Sequence, residues 1–286
     1  MALAKVADIY KRAREGGYGV GGFCINDPGM AIAILRAAEE THSPVVTVIA
    51  QGSIRSVGEG YLEAIVKHGA SQVDVPVAIM LDHGTDLEIC LQCIMNGHSS
   101  VMYDGSHHPF EENIKLTRQV CELAHMLGVT VEGELGTIPR LWVESGEWAG
   151  EPILVDPDIV PRFVNETGLD ALAIALGNAS GLPEMPPQLD FERLKKVAGI
   201  TDAYIIIHGG SGTPEDDVRH AVSLGVTAFR FASENYVAYL NAVDYARKQF
   251  PPNYPDTKVF YEHGREAAKK QISERMNQLG CVGKAW

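Results

Sequence analysis

The sequence has none of the long apolar runs that span a bilayer, which require roughly 20 residues. Its N-terminal stretch, MALAKVADIYKRAREGG, carries charges throughout and has no signal-peptide core. Short repeats, low-complexity blocks and Pro/Ser-rich linkers are also missing. We therefore expect a cytoplasmic protein without a membrane partner, folded as one unit.

Basic residues are also fewer than acidic residues. The 286 residues include 24 Lys and Arg against 37 Asp and Glu, giving a net charge of −13. This balance argues against nucleic acid or an anionic membrane surface as the main partner. A small anionic substrate is still compatible with it, because a local pocket can be basic inside an acidic shell.

Cysteine is scarce, and the five cysteines are expected to be free thiols. Cys90 and Cys93 form a C-x-x-C pair, but the second pair that a zinc site of this type needs is missing. Cysteine is often simply buried. We therefore interpret the pair as the packing face of a helix.

What the sequence does contain is a recurring unit, a short apolar, β-branched run followed by an amphipathic segment. The runs are nearly continuously apolar rather than alternating, which is typical of strands buried on both faces of a parallel sheet. The predicted strands are 18–25, 44–50, 75–81, 99–103, 129–135, 171–176, 203–208 and 227–232.

Helices are predicted between these strands from the amphipathic pattern. They cover 29–42, 60–72, 85–97, 109–128, 158–168, 190–199, 213–225 and 235–250. Eight strand–helix units match a (β/α)8 TIM barrel, an α/β fold, better than an open doubly wound sheet. We predict a single barrel domain over 1–286, with C-terminal helices at 255–279 that could form an interface.

In barrels of this type the chemistry lies on the loops that follow the strands. Asp82 and His83 end the third predicted strand and offer a general acid/base beside a metal ligand. A capping aspartate with a structural histidine is the alternative. Asp104 ends the fourth strand and could support such a site from the second shell of contacts.

The motif HGGSG at 208–212 ends the seventh predicted strand. Its glycines let the backbone approach a ligand closely, and Ser211 adds a hydroxyl. The next helix opens near Thr213, so its N–H groups can face an anion. Phosphate sites in these barrels commonly follow strands seven and eight. The motif therefore favours a phosphate-binding turn over a plain glycine turn.

Two acidic residues of the fifth predicted strand are expected to face the barrel interior. Glu132 and Glu134 are two apart, so they share one face of the strand. Two inward carboxylates are costly in an apolar barrel without a cation. They indicate a charged site, with a structural ion pair as the alternative.

The segment 136–157 is long for a loop in a compact domain, and such loops are often lids. It contains Trp142, Trp148, Glu144 and Glu147. It could close over a substrate and bring a carboxylate base, or it could be a loop that only packs against the protein surface.

Together these motifs resemble the class II, metal-dependent ketose-bisphosphate aldolases, nearest the tagatose-bisphosphate and short fructose-bisphosphate types. The resemblance runs nearly from end to end of the chain. It is carried by EGGYGVGGFCIN, LDHG, SSVMYDGSHHPFEENIKLTRQV, GVTVEGELG, TGLDALAIALGNASG and HGGSG. These motifs are specific as a group, although no single one would be.

The resemblance implies a divalent metal, usually zinc, that polarises the ketone of dihydroxyacetone phosphate. His83 and His208 match two of the metal ligands. Asp82 matches the residue that exchanges a proton with the hydroxyl formed in C–C bond making. A glutamate on the mobile loop removes the α-proton of the donor, and Glu144 is the nearest acid here.

The resemblance also implies that the substrate phosphate binds at the glycine turn and at the end of the eighth strand. The matching residues are Gly181, Gly209, Gly210, Ser211 and Ser233.

Four features depart from the family pattern. Ser180 stands where the third ligand histidine belongs, and neutral serine is a poor zinc ligand. Arg230 stands where a substrate-binding Asn is expected and offers a positive fork for a phosphate or carboxylate. Cys24 replaces a common Asn beside the substrate, and the loop lacks the family's G-G-x-E-D. Glu134 could complete a site of two histidines and one carboxylate, with Glu132 in the second shell.

We therefore predict a divergent class II aldolase that acts on a phosphorylated or carboxylated ketose-like substrate, not standard fructose 1,6-bisphosphate. The alternative is an inactive homologue serving as a ligand-binding or partner subunit, since the loss of one ligand should weaken metal binding. Schiff-base chemistry is disfavoured because no lysine ends a predicted strand. The resemblance also implies a homodimer or homotetramer.

Overall fold

The computed structural model describes residues 3–139 and 152–286, and its strands form one closed barrel. The strands are β1 (Val20–Cys24), β2 (Val45–Ala50), β3 (Val77–Gly84), β4 (Ser100–Tyr103), β5 (Thr130–Leu135), β6 (Ala171–Ile174), β7 (Tyr204–Ile207) and β8 (Val226–Phe231). Each pairs in parallel with the next, and β8 pairs with β1 to close the barrel. The predicted TIM barrel is confirmed.

Helices follow the strands on the outside of the barrel, and one further helix precedes the first strand and contacts β1, β3 and β8. They are α1 (Val6–Gly16), α2 (Pro28–Glu40), α3 (Gln51–Val57), α4 (Tyr61–Ala70), α5 (Leu87–Met95), α6 (Phe110–Met126), α7 (Val160–Thr167), α8 (Phe191–Ala198), α9 (Glu215–Ser223), α10 (Ser233–Lys248) and α11 (Thr257–Leu279). All eight predicted helices are present, and α1 and α3 were not predicted. The predicted C-terminal helices correspond to α11.

The sequence explains where these elements begin and end. The side chain of Asp27 caps α2 by accepting hydrogen bonds from the N–H groups of Gly29 and Met30, and Pro28 takes the first helical position. Gly168 ends α7 in the left-handed conformation, with φ of 71°, which glycine adopts without strain. Strands such as β1 and β6 are buried at every residue, as the continuous apolar pattern predicted.

The cysteines contribute to the core. All five are free and buried, and Cys90 and Cys93 lie on α5 with their side chains inside. The interpretation of this pair as a packing face is therefore confirmed. Within the described ranges, every helix is too short or too polar to cross a membrane.

Candidate active site

Asp82 and His83 reach the same site although they are consecutive in a strand. Neighbouring strand residues normally point to opposite faces. The register of β3 against β4 shifts between Leu81 and Gly84, and His83 has a left-handed φ of 49°. This conformation costs a non-glycine residue about 1–3 kcal/mol and is often found at functional sites. It lets both side chains approach His208.

His208 follows β7 and is held in one orientation. Its Nε2 lies 2.6 Å from Oε1 of the buried Glu132, and its carbonyl accepts a hydrogen bond of 2.8 Å from Asn178 Nδ2. Because a carboxylate only accepts, Nε2 of His208 carries the proton. Its Nδ1 then presents a lone pair, 3.2 Å from His83 Nε2 and 3.6 Å from Asp82 Oδ1.

His83 is held in the complementary way. Its Nδ1 lies 2.7 Å from Asp104 Oδ2. The other oxygen of Asp104 accepts hydrogen bonds from the backbone N–H and the hydroxyl of Ser106. The carboxylate therefore holds the proton on Nδ1 of His83, and Nε2 faces His208 as an acceptor. Asp104 thus contacts His83 directly, and its predicted support of a functional site stays a prediction.

With both rings neutral, the two histidines direct lone pairs at one another across 3.2 Å, an arrangement that a cation between them would stabilise. Two nitrogens at about 2.0–2.1 Å from a tetrahedral zinc ion are about 3.3 Å apart. Asp82 joins them, since its carboxylate and the two rings offer ligand atoms that all lie within 4.8 Å of one another. These residues fit a divalent metal ion.

Glu134 is buried as predicted but lies elsewhere around His83. Its Oε2 is 4.0 Å from Nδ1 of His83, and its Oε1 accepts a hydrogen bond from the N–H of Ile138. It forms a second possible ligand group with His83 and Asp104, on the Nδ1 side of the ring. The carboxylate grouped with both histidines is Asp82, and the expected set of His83, His208 and Glu134 stays a prediction.

Glu132 links the site to a buried arginine. Its Oε2 accepts a hydrogen bond of 2.6 Å from Arg230 Nη2, which also lies 2.7 Å from the hydroxyl of Tyr10. Burial by itself raises the pKa of Glu132, but the charge of Arg230 and the hydrogen bond from His208 outweigh it and lower that pKa overall. Glu132 is therefore an ionised carboxylate inside the barrel.

Arg230 differs from its expected position. The sequence suggested a guanidinium offered to a substrate anion, but the side chain is only 3% exposed and its Nη2 is bonded inside the barrel. The physical reason is the neighbouring strand: an added Cβ on Gly22 of β1 would lie 2.6 Å from Nη1. The glycine leaves the volume that the guanidinium fills.

Ser180 lies beside the turn that follows His208. A Cβ on Gly209 would be 2.1 Å from the carbonyl oxygen of Ala179 and 2.9 Å from the nitrogen of Ser180, so the loop after β6 rests directly on this glycine. The N–H of Ser180 donates to the carbonyl of Pro139. Gly181 follows with φ of 122°, which is open to glycine alone without strain.

The predicted phosphate turn is tied to the end of β8. The hydroxyl oxygen of Ser211 accepts hydrogen bonds from the N–H groups of Ala232 and Glu234, at 3.3 and 3.4 Å. The N–H of Gly210 donates to the carbonyl of Arg230. Ser233, the first residue of α10, lies between the two groups that contact Ser211. The two segments therefore form one preorganised unit.

A buried ion pair reinforces this unit. Glu234 accepts the N–H of Gly212 at 3.0 Å and forms two hydrogen bonds with Arg275 of α11, at 2.7 and 2.6 Å. Arg275 also donates to the carbonyl of Thr213. The C-terminal helix thus holds the glycine turn in place.

Cys24 lies against the carboxylate of Asp82. Its Sγ is 3.9 Å from Oδ2, and burial, together with the charge of Asp82, raises the pKa of the thiol well above its ordinary value. The thiol is therefore neutral and donates a weak hydrogen bond to Asp82. This contact places Cys24 at the site, as the sequence had suggested.

The two ends of the long loop meet in a short antiparallel bridge between Thr137 and Ile153. The predicted base Glu144 and the residues Trp142, Glu147 and Trp148 belong to 140–151 and lie outside the described residues. Their predicted roles stay predictions.

Sequence reasoning did not single out three residues that support the site. Asn178 holds the carbonyl of His208 and lies inside GNASG, so its position between two glycines was an available signal. Tyr10 lies on the unpredicted α1, and Arg275 lies far along the chain on α11. Nothing in their local sequence pointed to the barrel interior or the glycine turn.

Comparisons with known proteins identify relatives over the whole length of the chain. Residues 4–284 match the family described as "Fructose-bisphosphate aldolase class-II". The chain is 37% identical to a fructose-bisphosphate aldolase of Geobacillus stearothermophilus, covering 100% of this chain and 99% of the relative. It is 34% identical to one of Staphylococcus aureus strain Mu50, with 100% of both covered. The crystal structure of the YdjI aldolase from Escherichia coli K12 superposes with a TM-score of 0.87 at 29% identity, covering 99% of this chain and 100% of that one.

Proposed function

Because the chain belongs to the class II fructose-bisphosphate aldolase family, a family of carbon–carbon lyases, we propose that it catalyses a metal-assisted, reversible aldol cleavage. The proposed substrate is a phosphorylated or carboxylated ketose-like molecule other than standard fructose 1,6-bisphosphate. The observation that carries the proposal is the pair of opposed ring nitrogens of His83 and His208, 3.2 Å apart, beside the carboxylate of Asp82.

The proposed metal site is built on the two histidines. His83 Nε2 and His208 Nδ1 would hold the ion, and zinc is favoured because it accepts imidazole and carboxylate ligands in a tetrahedral set. When bound, the ion supplies a Lewis acid that polarises the ketone of the substrate. The sequence predicted Glu134 as the third ligand, and this stays a prediction. The carboxylate that lies near both rings in the structure is that of Asp82.

Proton transfer is assigned to the chain's own carboxylates. In the cleavage direction Asp82 takes the proton of the substrate hydroxyl as the carbon–carbon bond breaks, and it returns this proton in condensation. The neutral thiol of Cys24 donates to Oδ2 of Asp82. Glu144 is proposed as the base that exchanges the α-proton of the donor.

Substrate binding is assigned to the preorganised turn. Gly209, Gly210 and Ser211, with Gly181 and Ser233 beside them, are proposed to hold the phosphate through backbone N–H groups and hydroxyls. The hydrogen bonds from Ala232 and Glu234 to Ser211 support a turn that is formed before substrate arrives.

The substrate proposal depends on two substitutions. Ser180 replaces a residue that the family pattern places at the metal. Arg230 replaces one that the pattern places at the substrate, and because its side chain is bonded inside the barrel, the substrate loses that contact. The site is therefore expected to favour a different anionic ketose. The alternative, an inactive ligand-binding or partner subunit, has less support. Asp82, His83 and His208 form a group that could hold a metal ion, and Asp82 can also carry a proton.

Metal titration of the purified protein tests the function. We expect binding of Zn²⁺ or Co²⁺ near one ion per chain, because both rings are held as acceptors. We also expect weak or absent cleavage of fructose and tagatose 1,6-bisphosphates. Less than about a tenth of an equivalent of metal after titration would overturn the metal mechanism. Efficient cleavage of either sugar would overturn the substrate proposal.

We also propose that the protein works in the cytoplasm as a homodimer or homotetramer. Five free cysteines suit a reducing compartment. On α10 the apolar residues Val237, Leu240 and Tyr245 are 40%, 61% and 66% exposed, and an assembly would cover them. Sedimentation equilibrium should give a mass of two or four chains. A single-chain mass at micromolar concentration would contradict the proposal.

A further inference from the structure

Arg230 is the buried residue whose role the proposed function leaves open. It is 3% exposed, and Glu132 beside it is fully buried. The hydrogen bonds form one continuous chain: the hydroxyl of Tyr10 contacts Arg230, Arg230 binds Glu132, and Glu132 binds His208. One carboxylate therefore separates the guanidinium from a ring that faces the proposed metal position.

Stability by itself does not account for an arginine here. A buried ion pair can often be replaced by apolar side chains without loss of stability. Nε and Nη1 of Arg230 have no hydrogen-bond partner among the described residues, which adds a desolvation cost. Of the three guanidinium nitrogens only Nη2 is hydrogen bonded, and its short contact with Glu132 is the one between opposite charges.

The surroundings hold the guanidinium in a single position. Gly22 is the strand neighbour of Arg230 in the pairing of β1 with β8. An added Cβ there would lie 2.6 Å from Nη1 and 2.8 Å from Cδ of Arg230. Tyr10 and Met80 contact Nη2 from the interior of the barrel. The side chain thus has little freedom to turn toward a substrate.

We propose that Arg230 is a positioning residue that, through Glu132, fixes the ring of His208 with Nδ1 directed at the metal. Arg230 holds Oε2 of Glu132, which leaves Oε1 to accept the proton of Nε2. Nδ1 therefore keeps its lone pair toward His83. This role rests on the proposed metal-dependent function, and it differs from binding the substrate anion directly.

The test compares Co²⁺ affinity, read from visible absorption, and Zn²⁺ affinity, read by competition. Arg230→Gln should weaken binding by about 10- to 100-fold, the usual effect of losing a residue that orients a ligand. Arg230→Lys keeps the charge but loses the planar guanidinium, so its metal affinity should lie between those of Arg230→Gln and the wild type. Arg219→Gln is the control, because it makes the same substitution in an exposed ion pair with Glu215 on α9, outside the hydrogen-bond chain to His208. Its affinity should stay within about twofold of wild type.

A second measurement does not need the metal. In metal-free protein, ¹⁵N NMR of the imidazoles should place the His208 proton on Nε2 in the wild type, and Arg230→Gln should add a population with the proton on Nδ1. An unchanged tautomer and affinity in Arg230→Gln and Arg230→Lys would overturn the inference. Weaker binding of inorganic phosphate with unchanged metal affinity would overturn it in favour of direct binding of the substrate anion. If the wild type binds no metal, the proposed function fails, while the tautomer comparison still decides the role of Arg230.

Discussion

Replacement of Asp82 by asparagine is expected to lower kcat for aldol cleavage by about 10²- to 10⁴-fold, the range for a lost general acid or base. Asparagine keeps the size of the side chain but cannot take up the proton of the substrate hydroxyl. Asp82 lies 3.6 Å from Nδ1 of His208 and 3.9 Å from Sγ of Cys24, so the variant should keep these neighbours.

Two assays separate the steps of the reaction. A different base is proposed to exchange the α-proton of the donor, so Asp82→Asn should still exchange the α-protons of dihydroxyacetone phosphate with deuterated water. Cleavage, measured in the steady state, should be lost. Loss of both would point to a role of Asp82 in holding the metal, and an unchanged kcat would overturn its role as proton carrier.

Asp86→Asn provides the matched control for this experiment. Asp86 lies in the same loop after β3, and its side chain caps α5 by accepting a hydrogen bond of 2.9 Å from the N–H of Ile89. Asparagine is an equally good N-cap. The control removes one negative charge close to the site and should leave kcat within about twofold of wild type.

Replacement of Ser180 by histidine is expected to tighten metal binding by about 10²-fold. Four ligands of a structural zinc site share roughly 10–16 kcal/mol, so one imidazole contributes about 3 kcal/mol. Ser180 lies against Gly209, directly after His208, which puts a new ring within the same loop cluster. Isothermal titration with Zn²⁺ and Co²⁺ measures the change.

Two further variants identify the third ligand in the natural protein. If the third ligand is a water molecule held by Ser180, Ser180→Ala should weaken metal binding. If the third ligand is Glu134, Glu134→Gln should weaken metal binding instead, although Glu134 lies on the Nδ1 side of His83. An unchanged affinity in Ser180→His would mean that the side chain at this position does not face the metal.

The barrel was predictable because its pattern is local. Each strand is buried on both faces and so reads as a continuous apolar run, and each helix reads as an amphipathic segment. The helices α1 and α3 escaped prediction. The first lies in a charged N-terminal stretch, and the second is only seven residues long.

The partners of the buried charges were not predictable in the same way. The spacing of Glu132 and Glu134 places both on one face of β5, but it cannot say which residue each will meet. The structure pairs Glu132 with His208 and Arg230, and Glu134 lies near His83. These partners come from other strands, so the pairings depend on how the strands align around the barrel.

The sequence by itself determined the barrel, the strand ends that carry polar residues, and the family. These follow from hydrophobic periodicity and from motifs whose residues are close together in the chain. The sequence predicted Asp82 and His83 together, and tertiary structure decided how both side chains reach His208, because a register shift and a left-handed φ at His83 break the alternation of β3. It also decided that Arg230 turns inward, because Gly22 on the neighbouring strand leaves the space and Glu132 provides the opposite charge.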